Sequence, residues 1–337
     1  MALTLVVPRL LDLPAATLAS IDASAPALSR LLASGAPAAN EPDGAIAAAC
    51  RACGIERQDD WPVAPLLARA LGIEPGRDYW LCAEPATLAV GADDVRLASF
   101  AHELAPEQTQ ALISTLNDHF VADGVAFVAA SPGRWFVRAA QAQRLVTWPP
   151  EAALEAPLFA FLPSGADASR WRRWQNEAQM LLFEHPVNVE RERAGDPPVN
   201  SVWLWGGGID APRGSAASVI FASASRVVEL ARGSAVELRP PPESFEAVDD
   251  ADAWVWLDDI ESDAAAGTLA SLERAWMAPA ERALDSGLVN TMAIVVTGRA
   301  RALTFRPKRS SLARRWRARL SPPRGARLLA AAQTESS

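Results

Sequence analysis

Short, almost unbroken apolar runs constrain this chain more than any other feature. Residues 2–7 (ALTLVV) and 202–205 (VWLW) lack the polar alternation of a strand with one wet face. They therefore read as strands buried on both sides. Further strands are expected at 217–222, 253–257 and 292–297, with helices at 225–232 and 269–284 between them. Strands alternating with helices build βαβ units, so the predicted class is α/β: a mostly parallel sheet with helices on both faces. Ligands in such sheets sit at the C-terminal ends of the strands. The loops after Val7, Trp205, Leu257 and Val296 are accordingly where a site is expected.

The first part of the chain supplies a helix at 26–34, with Leu28, Leu31 and Leu32 on one face, then a loop over 35–44 and a helix over 45–53. From Trp61 the texture changes. A helix at 65–71 precedes two strands, 79–90 and 95–100, joined by a Gly91-Ala92-Asp93-Asp94 turn, and an amphipathic helix at 106–120 leads to strands at 125–129 and 135–138. That is a small α+β module. The expected organisation is a core from residues 1–60 and 149–308, an inserted α+β domain over 61–148, and a basic tail over 309–337.

Charge is uneven. Residues 299–327 hold 11 of the 32 basic side chains and no acid, so the body is acidic and the tail basic. Within the tail, SSLARRWRARL (310–320) sets Leu312, Trp316 and Leu320 on one stripe among arginines. Such a segment can dock on a protein partner, on an acidic membrane surface, on nucleic acid or on the acidic body itself. A protein partner is retained as an expectation, and nucleic acid is not expected. No apolar run approaches the roughly 18 residues of a membrane span, and the N-terminus lacks a basic n-region, so the expected location is the cytoplasm. Three cysteines do not suggest a disulfide scaffold, and the Cys50–Cys53 CxxC, with no second pair, reads as buried thiols on an alanine-rich helix.

Residues 171–208 concentrate the chemical signals. Trp171, Trp174, Ala178 and Leu181 recur at helical spacing, Pro186 marks the stop, and after a charged turn the run 202–205 leads into Gly206, Gly207 and Gly208. Glycines after a strand can expose backbone amides to an anion, or simply let the chain turn. Asn188, Arg191, Arg193 and Asn200 are the anion-binding candidates, since guanidinium groups fork onto phosphate or carboxylate; the alternative is a solvated turn. His185 is either a helix-end cap or a ligand contact. Asp258, Asp259 and Glu261 follow a buried strand, where they are either solvated loop acids or ligands of a hard cation.

His185-Pro186-Val187-Asn188, Arg191, Gly195, Asn200 and the 203–208 segment resemble a motif of the archaeal-type cofactor-independent phosphoglycerate mutases, which belong to the alkaline phosphatase superfamily. Residues 72–120, with Pro75-Gly76 and Ala101-His102, are similar to that family's inserted domain, and Pro26-Ala27-Leu28 with Arg30-Leu31 resemble its first helix. The whole chain resembles a bacterial branch labelled RpfE-type regulatory protein. The resemblance implies an alkaline-phosphatase-like fold. It also implies two divalent metals, held by Asp and His, that activate a phosphoryl-accepting serine.

This chain departs from that pattern at the loops that would carry it. The first strand is followed by Pro8 and Arg9, where the family has Asp. Asn40-Glu41-Pro42-Asp43 stands for the nucleophile loop, keeping Asp43 but placing proline at the serine. The later loops read Asp258-Asp259-Ile260-Glu261-Ser262 and Thr297-Gly298-Arg299, without histidine. The expectation is a catalytically degenerate, regulatory or metabolite-binding protein that takes a phosphorylated small molecule and needs no cofactor. The alternatives are an active phosphoglycerate mutase or other phosphoryl-transfer enzyme with divalent metal, and an interaction protein acting through its tail.

Overall fold

The computed structural model describes residues 1–35, 37–42, 44–91, 94–101, 103–154, 156–211, 213–214, 216–309 and 325–334. His102, Asp43 and the basic segment 310–320 lie outside them. The strands in chain order are β1 (Ala2–Val7), β2 (Pro37–Pro42), β3 (Tyr79–Val90), β4 (Val95–Phe100), β5 (Val125–Ser131), β6 (Arg134–Ala139), β7 (Ser201–Ile209), β8 (Val219–Phe221), β9 (Glu237–Arg239), β10 (Ala253–Trp256), β11 (Thr291–Thr297) and β12 (Arg301–Phe305). The chain divides into two compact units, Met1–Gly54 with Ser215–Ser337, and Ile55–Gly214.

The first unit is the expected α/β fold. Its seven strands run in the order β2-β12-β11-β1-β10-β8-β9. The pairs β11–β1, β1–β10, β10–β8 and β8–β9 are parallel, whereas β12 lies antiparallel to both β11 and β2. One face carries Leu3, Leu5, Val7, Val255, Ile294, Val296, Leu303 and Phe305 into a core with the helices Pro26–Ser34, Ala265–Leu272 and Ala278–Ser286. The other face receives the helix Gly44–Ala52, which packs on β11 and β12. The apolar runs are unbroken where both faces of the central strands are buried, toward their C-terminal ends at residues 5–7, 255–256 and 294–296.

Helix Pro26–Ser34 begins with proline, whose missing N–H costs nothing at that position. Its next two free amides, from Ala27 and Leu28, donate to the Glu273 carboxylate at 2.7 and 3.2 Å. Glu273 sits in a π turn, Glu273–Met277, between Ala265–Leu272 and Ala278–Ser286. The expected single helix over 269–284 is thus longer and locally unwound, and the widened turn carries the capping carboxylate.

The second unit is α+β, as its texture suggests, but larger than expected. Contacts return to the first unit near residue 215 rather than at 149. The reason is β7, which pairs antiparallel with β3 from Tyr79↔Ile209 to Ala86↔Ser201. β7 is therefore a strand of the second unit's antiparallel sheet, not of the parallel one, and its apolar run is covered by helices Ala168–Phe183 and Val63–Ala70. Two further differences concern short segments. Residues 37–42, expected as loop, form an edge strand against β12, and the charged turn after His185 is a helix, Pro186–Ala194.

Candidate functional site

Three loops of the first unit leave the C-terminal ends of β1, β10 and β11. After Val7 the chain turns through Arg9, held at φ 58°, into a 3-10 turn over Leu10–Asp12. That turn aims Asp12 at the neighbouring loop: its Oδ1 accepts a hydrogen bond from the Arg299 amide at 2.9 Å. In return the Arg9 amide donates to Thr297 Oγ1 at 3.4 Å. Gly298 permits the approach, because a Cβ there would stand 2.7 Å from Asp12 Oδ1. The Arg9 guanidinium faces the other oxygen, Nε to Oδ2, at 3.7 Å.

The β10 loop joins this edge through the Leu257 amide, which donates to Val6 O at 3.0 Å, and through buried Ile260. Asp258, Asp259 and Glu261 flank Ile260 and are exposed. Although Asp259 is exposed, partial desolvation against the loop edge is the largest influence on its carboxyl and pushes it above its usual range; Arg9 draws it down, while Glu261, Asp258 and Asp12 push it up again. The three loops thus form one electrostatic neighbourhood. Two of the loops carry arginines, Arg9 and Arg299, and the acids lie alongside. Among the described residues no three His, Cys, Asp or Glu side chains converge as metal ligands. Arg9, Thr297 and Gly298 themselves offer no carboxylate or imidazole to a cation.

The motif residues of the second unit meet at one corner, with their polar atoms turned onto the main chain. Asn188 is 1% exposed; its Nδ2 donates to Leu182 O and Val199 O at 2.6 and 2.9 Å, and its Oδ1 accepts from the Val199 amide at 2.7 Å. Arg191, also buried, donates from Nε to Pro197 O at 2.9 Å and from Nη1 to Gln108 Oε1 at 3.2 Å. Asn200 bonds both backbone groups of Leu88, accepting at 2.7 Å and donating at 2.9 Å, beside the irregularity at Thr87 and Leu88. His185 accepts from the Val187 amide through Nδ1 at 3.2 Å and so caps the start of the following helix, with Nε2 3.1 Å from Thr115 Oγ1. Burial holds its imidazole below the ordinary range. Arg193 is exposed on the same helix.

Gly206, Gly207 and Gly208 correct the expected glycine-rich loop: they are the end of β7. A Cβ on Gly207 would fall 2.1 Å from the Tyr79 hydroxyl, and one on Gly208 would fall 2.4 Å from Pro62 Cβ. Their smallness serves close packing on the strand. Asp12, by contrast, escapes a reading of the sequence, since LLDL looks like an apolar segment with one exposed acid. The available signal was its position, just past the first parallel strand.

No family model matches the chain. Part of it is similar to cofactor-independent phosphoglycerate mutases. A stretch of 150 residues is 31% identical to 2,3-bisphosphoglycerate-independent phosphoglycerate mutase 2 of Methanothermobacter thermautotrophicus, covering 43% of this chain and 36% of that protein. Over 186 residues it is 28% identical to a probable 2,3-bisphosphoglycerate-independent phosphoglycerate mutase of Geobacter sulfurreducens, covering 51% and 44%. The chain therefore spans less than half the length of these relatives. Among solved structures, a cofactor-independent phosphoglycerate mutase from Thermoplasma acidophilum aligns over 90% of this chain and 89% of its own, at 16% identity and a TM-score of 0.42. None of the described helices is long and apolar enough to cross a membrane.

Proposed function

We propose that this chain is a catalytically degenerate relative of the cofactor-independent phosphoglycerate mutases, with an alkaline-phosphatase-like fold, that binds a phosphorylated small molecule without metal and acts as a regulatory protein. The observation that carries the reading is the interlocked pair of loops after β1 and β11. Asp12 fastens the Arg299 amide, Thr297 fastens the Arg9 amide, and the result presents two arginines where phosphoryl transfer would need metal ligands. Guanidinium groups can bind a phosphate dianion, but they cannot activate a nucleophile as a Lewis acid does. The Asn188, Arg191 and Asn200 side chains, whose polar atoms are committed to main chain and Gln108, then hold the fold around this function rather than the ligand.

Titration calorimetry with 3-phosphoglycerate, paired with metal analysis of the purified chain, tests this. Binding without added metal, lost in Arg9→Gln/Arg299→Gln, is the expected result. Two tightly bound cations per chain together with metal-dependent phosphoglycerate mutase activity would establish the active-enzyme reading, which the sequence similarity favours.

A further inference from the structure

The first unit holds a concavity at the end of its strands opposite the loops that follow Val7 and Thr297. Here the sheet face away from the main core is only partly covered by helix Gly44–Ala52, leaving a groove of about 470 Å3. Its floor follows from strand alternation. Leu3, Leu5, Ile294 and Val296 point into the core, so Ala2, Thr4, Ala293 and Val295 face the groove. Thr4 is in register with both Trp254 and Ala293, and Arg306, one residue past β12, lines the same hollow. Small side chains in that row leave room that larger ones would fill. The volume lies in the range of small-molecule sites.

The lining has a definite chemistry. Arg51, in the last turn of Gly44–Ala52, and Arg306 bring two positive charges, and Thr4, Thr291 and Thr304 bring hydroxyls. Among the described residues no carboxylate lines the groove. Trp254 is half-buried and stacked on Trp256, centroids 5.9 Å apart and planes 20° apart, which fixes its ring at the groove wall. A fixed indole and an alanine floor suit a flat apolar body; arginines and hydroxyls suit one acidic head. We propose that this groove binds a planar aromatic monocarboxylate. The site is separate from the loop edge beyond Val7 and Thr297, whose ligand would be a small phosphate with no apolar body.

Calorimetry on the full chain with 2-naphthoate as the probe tests the assignment, with 2-naphthylmethanol as the uncharged counterpart. One naphthoate per chain is expected, bound at least tenfold more tightly than the alcohol. Arg306→Gln, at an exposed position, should weaken it at least tenfold, and Ala293→Leu should abolish it by filling the floor. If Ala293→Leu unfolds the protein, Thr304→Val, which keeps the shape and removes one hydroxyl, should weaken binding severalfold. Absence of naphthoate binding, equal binding of the alcohol, or binding indifferent to Arg306→Gln would each overturn the assignment. Competition by 3-phosphoglycerate would place the probe at the other site and overturn it as well.

Discussion

Asn188 and Asp12 are both short polar side chains that tie one backbone segment to another, yet their surroundings differ. Asn188 in the second unit makes three hydrogen bonds to main chain and is sealed from solvent. Asp12 in the first unit makes one to the Arg299 amide, and its second oxygen stands 3.7 Å from the Arg9 guanidinium. Arg191 and Arg299 differ in the same way, the first buried against Pro197 O and Gln108, the second exposed on its loop. The recognisable motif thus reports how the chain is held, whereas the loops that depart from the motif retain charge facing solvent. Resemblance to a family at buried, fully bonded positions is evidence about architecture; function has to be argued at the positions that still have valence left.

The largest expected effect breaks the first side of that comparison. Asn188→Ala strands the Val199 amide and carbonyl in a dry corner, while the Leu182 carbonyl keeps the His185 amide. Leaving buried polar groups unsatisfied costs about 1–3 kcal/mol each in measured series, so a loss on the order of 3 kcal/mol is expected in urea unfolding. Retained stability with lost affinity for 3-phosphoglycerate would instead put Asn188 in a ligand site. Next comes Gly207→Ala, whose added methyl would stand 2.1 Å from the Tyr79 hydroxyl and 2.8 Å from Leu81 Cδ2. Both neighbours are buried, so overpacking should cost about 1–3 kcal/mol, read as a lower urea midpoint. A neutral outcome would mean that β7 can shift, and the glycines would again be open to a role in binding.

On the loop edge the sign reverses. Arg9 is a non-glycine residue at φ 58°, a conformation that costs an L-residue roughly 1–2 kcal/mol, and its ion pair with Asp12 is partly exposed. Arg9→Gly should therefore keep or raise the melting temperature, by up to about 1 kcal/mol of stability, while weakening 3-phosphoglycerate binding. Destabilisation together with unchanged binding would make Arg9 a structural residue like Arg191 and erase the contrast between the two regions.

Much of the architecture was legible because it depends on local pattern. The helix limits Pro26–Ser34 and Pro106–Phe120 and the strands β3 and β4 follow from periodicity and from prolines that can only start helices. The affiliation of β7 was not legible. VWLW reads alike whether the strand is buried in a parallel or an antiparallel sheet, and its partner Tyr79–Ala86 lies more than a hundred residues away in sequence. Edge strand β2 was hidden for a related reason: Pro37 and Pro42 bracket it, and its pairing with β12 is set by tertiary contact rather than propensity. The candidate site was legible in place but not in composition. The loop positions followed from the parallel sheet, yet only the structure shows that Asp12 reaches Arg299 and that the Asn188 amide has no donor to offer.

The smallest effect concerns His185. With Nδ1 accepting from the Val187 amide, the neutral ring carries its proton on Nε2 and donates it to Thr115 Oγ1. Protonating Nδ1 removes the acceptor and uncaps helix Pro186–Ala194, consistent with burial holding the imidazole below its ordinary range. A depressed folded pKa means that this contribution is complete above the unfolded histidine value of about 6.5 and is lost as pH falls through the lower folded value. His185→Asn supplies a capping oxygen that does not titrate. Below pH 6 the melting temperature of the variant should fall less steeply than that of the parent, and above pH 7 the two curves should run parallel. Parallel curves throughout would mean that the Val187 amide finds another acceptor in acid, and the corner would owe its rigidity to Asn188 and Arg191 alone.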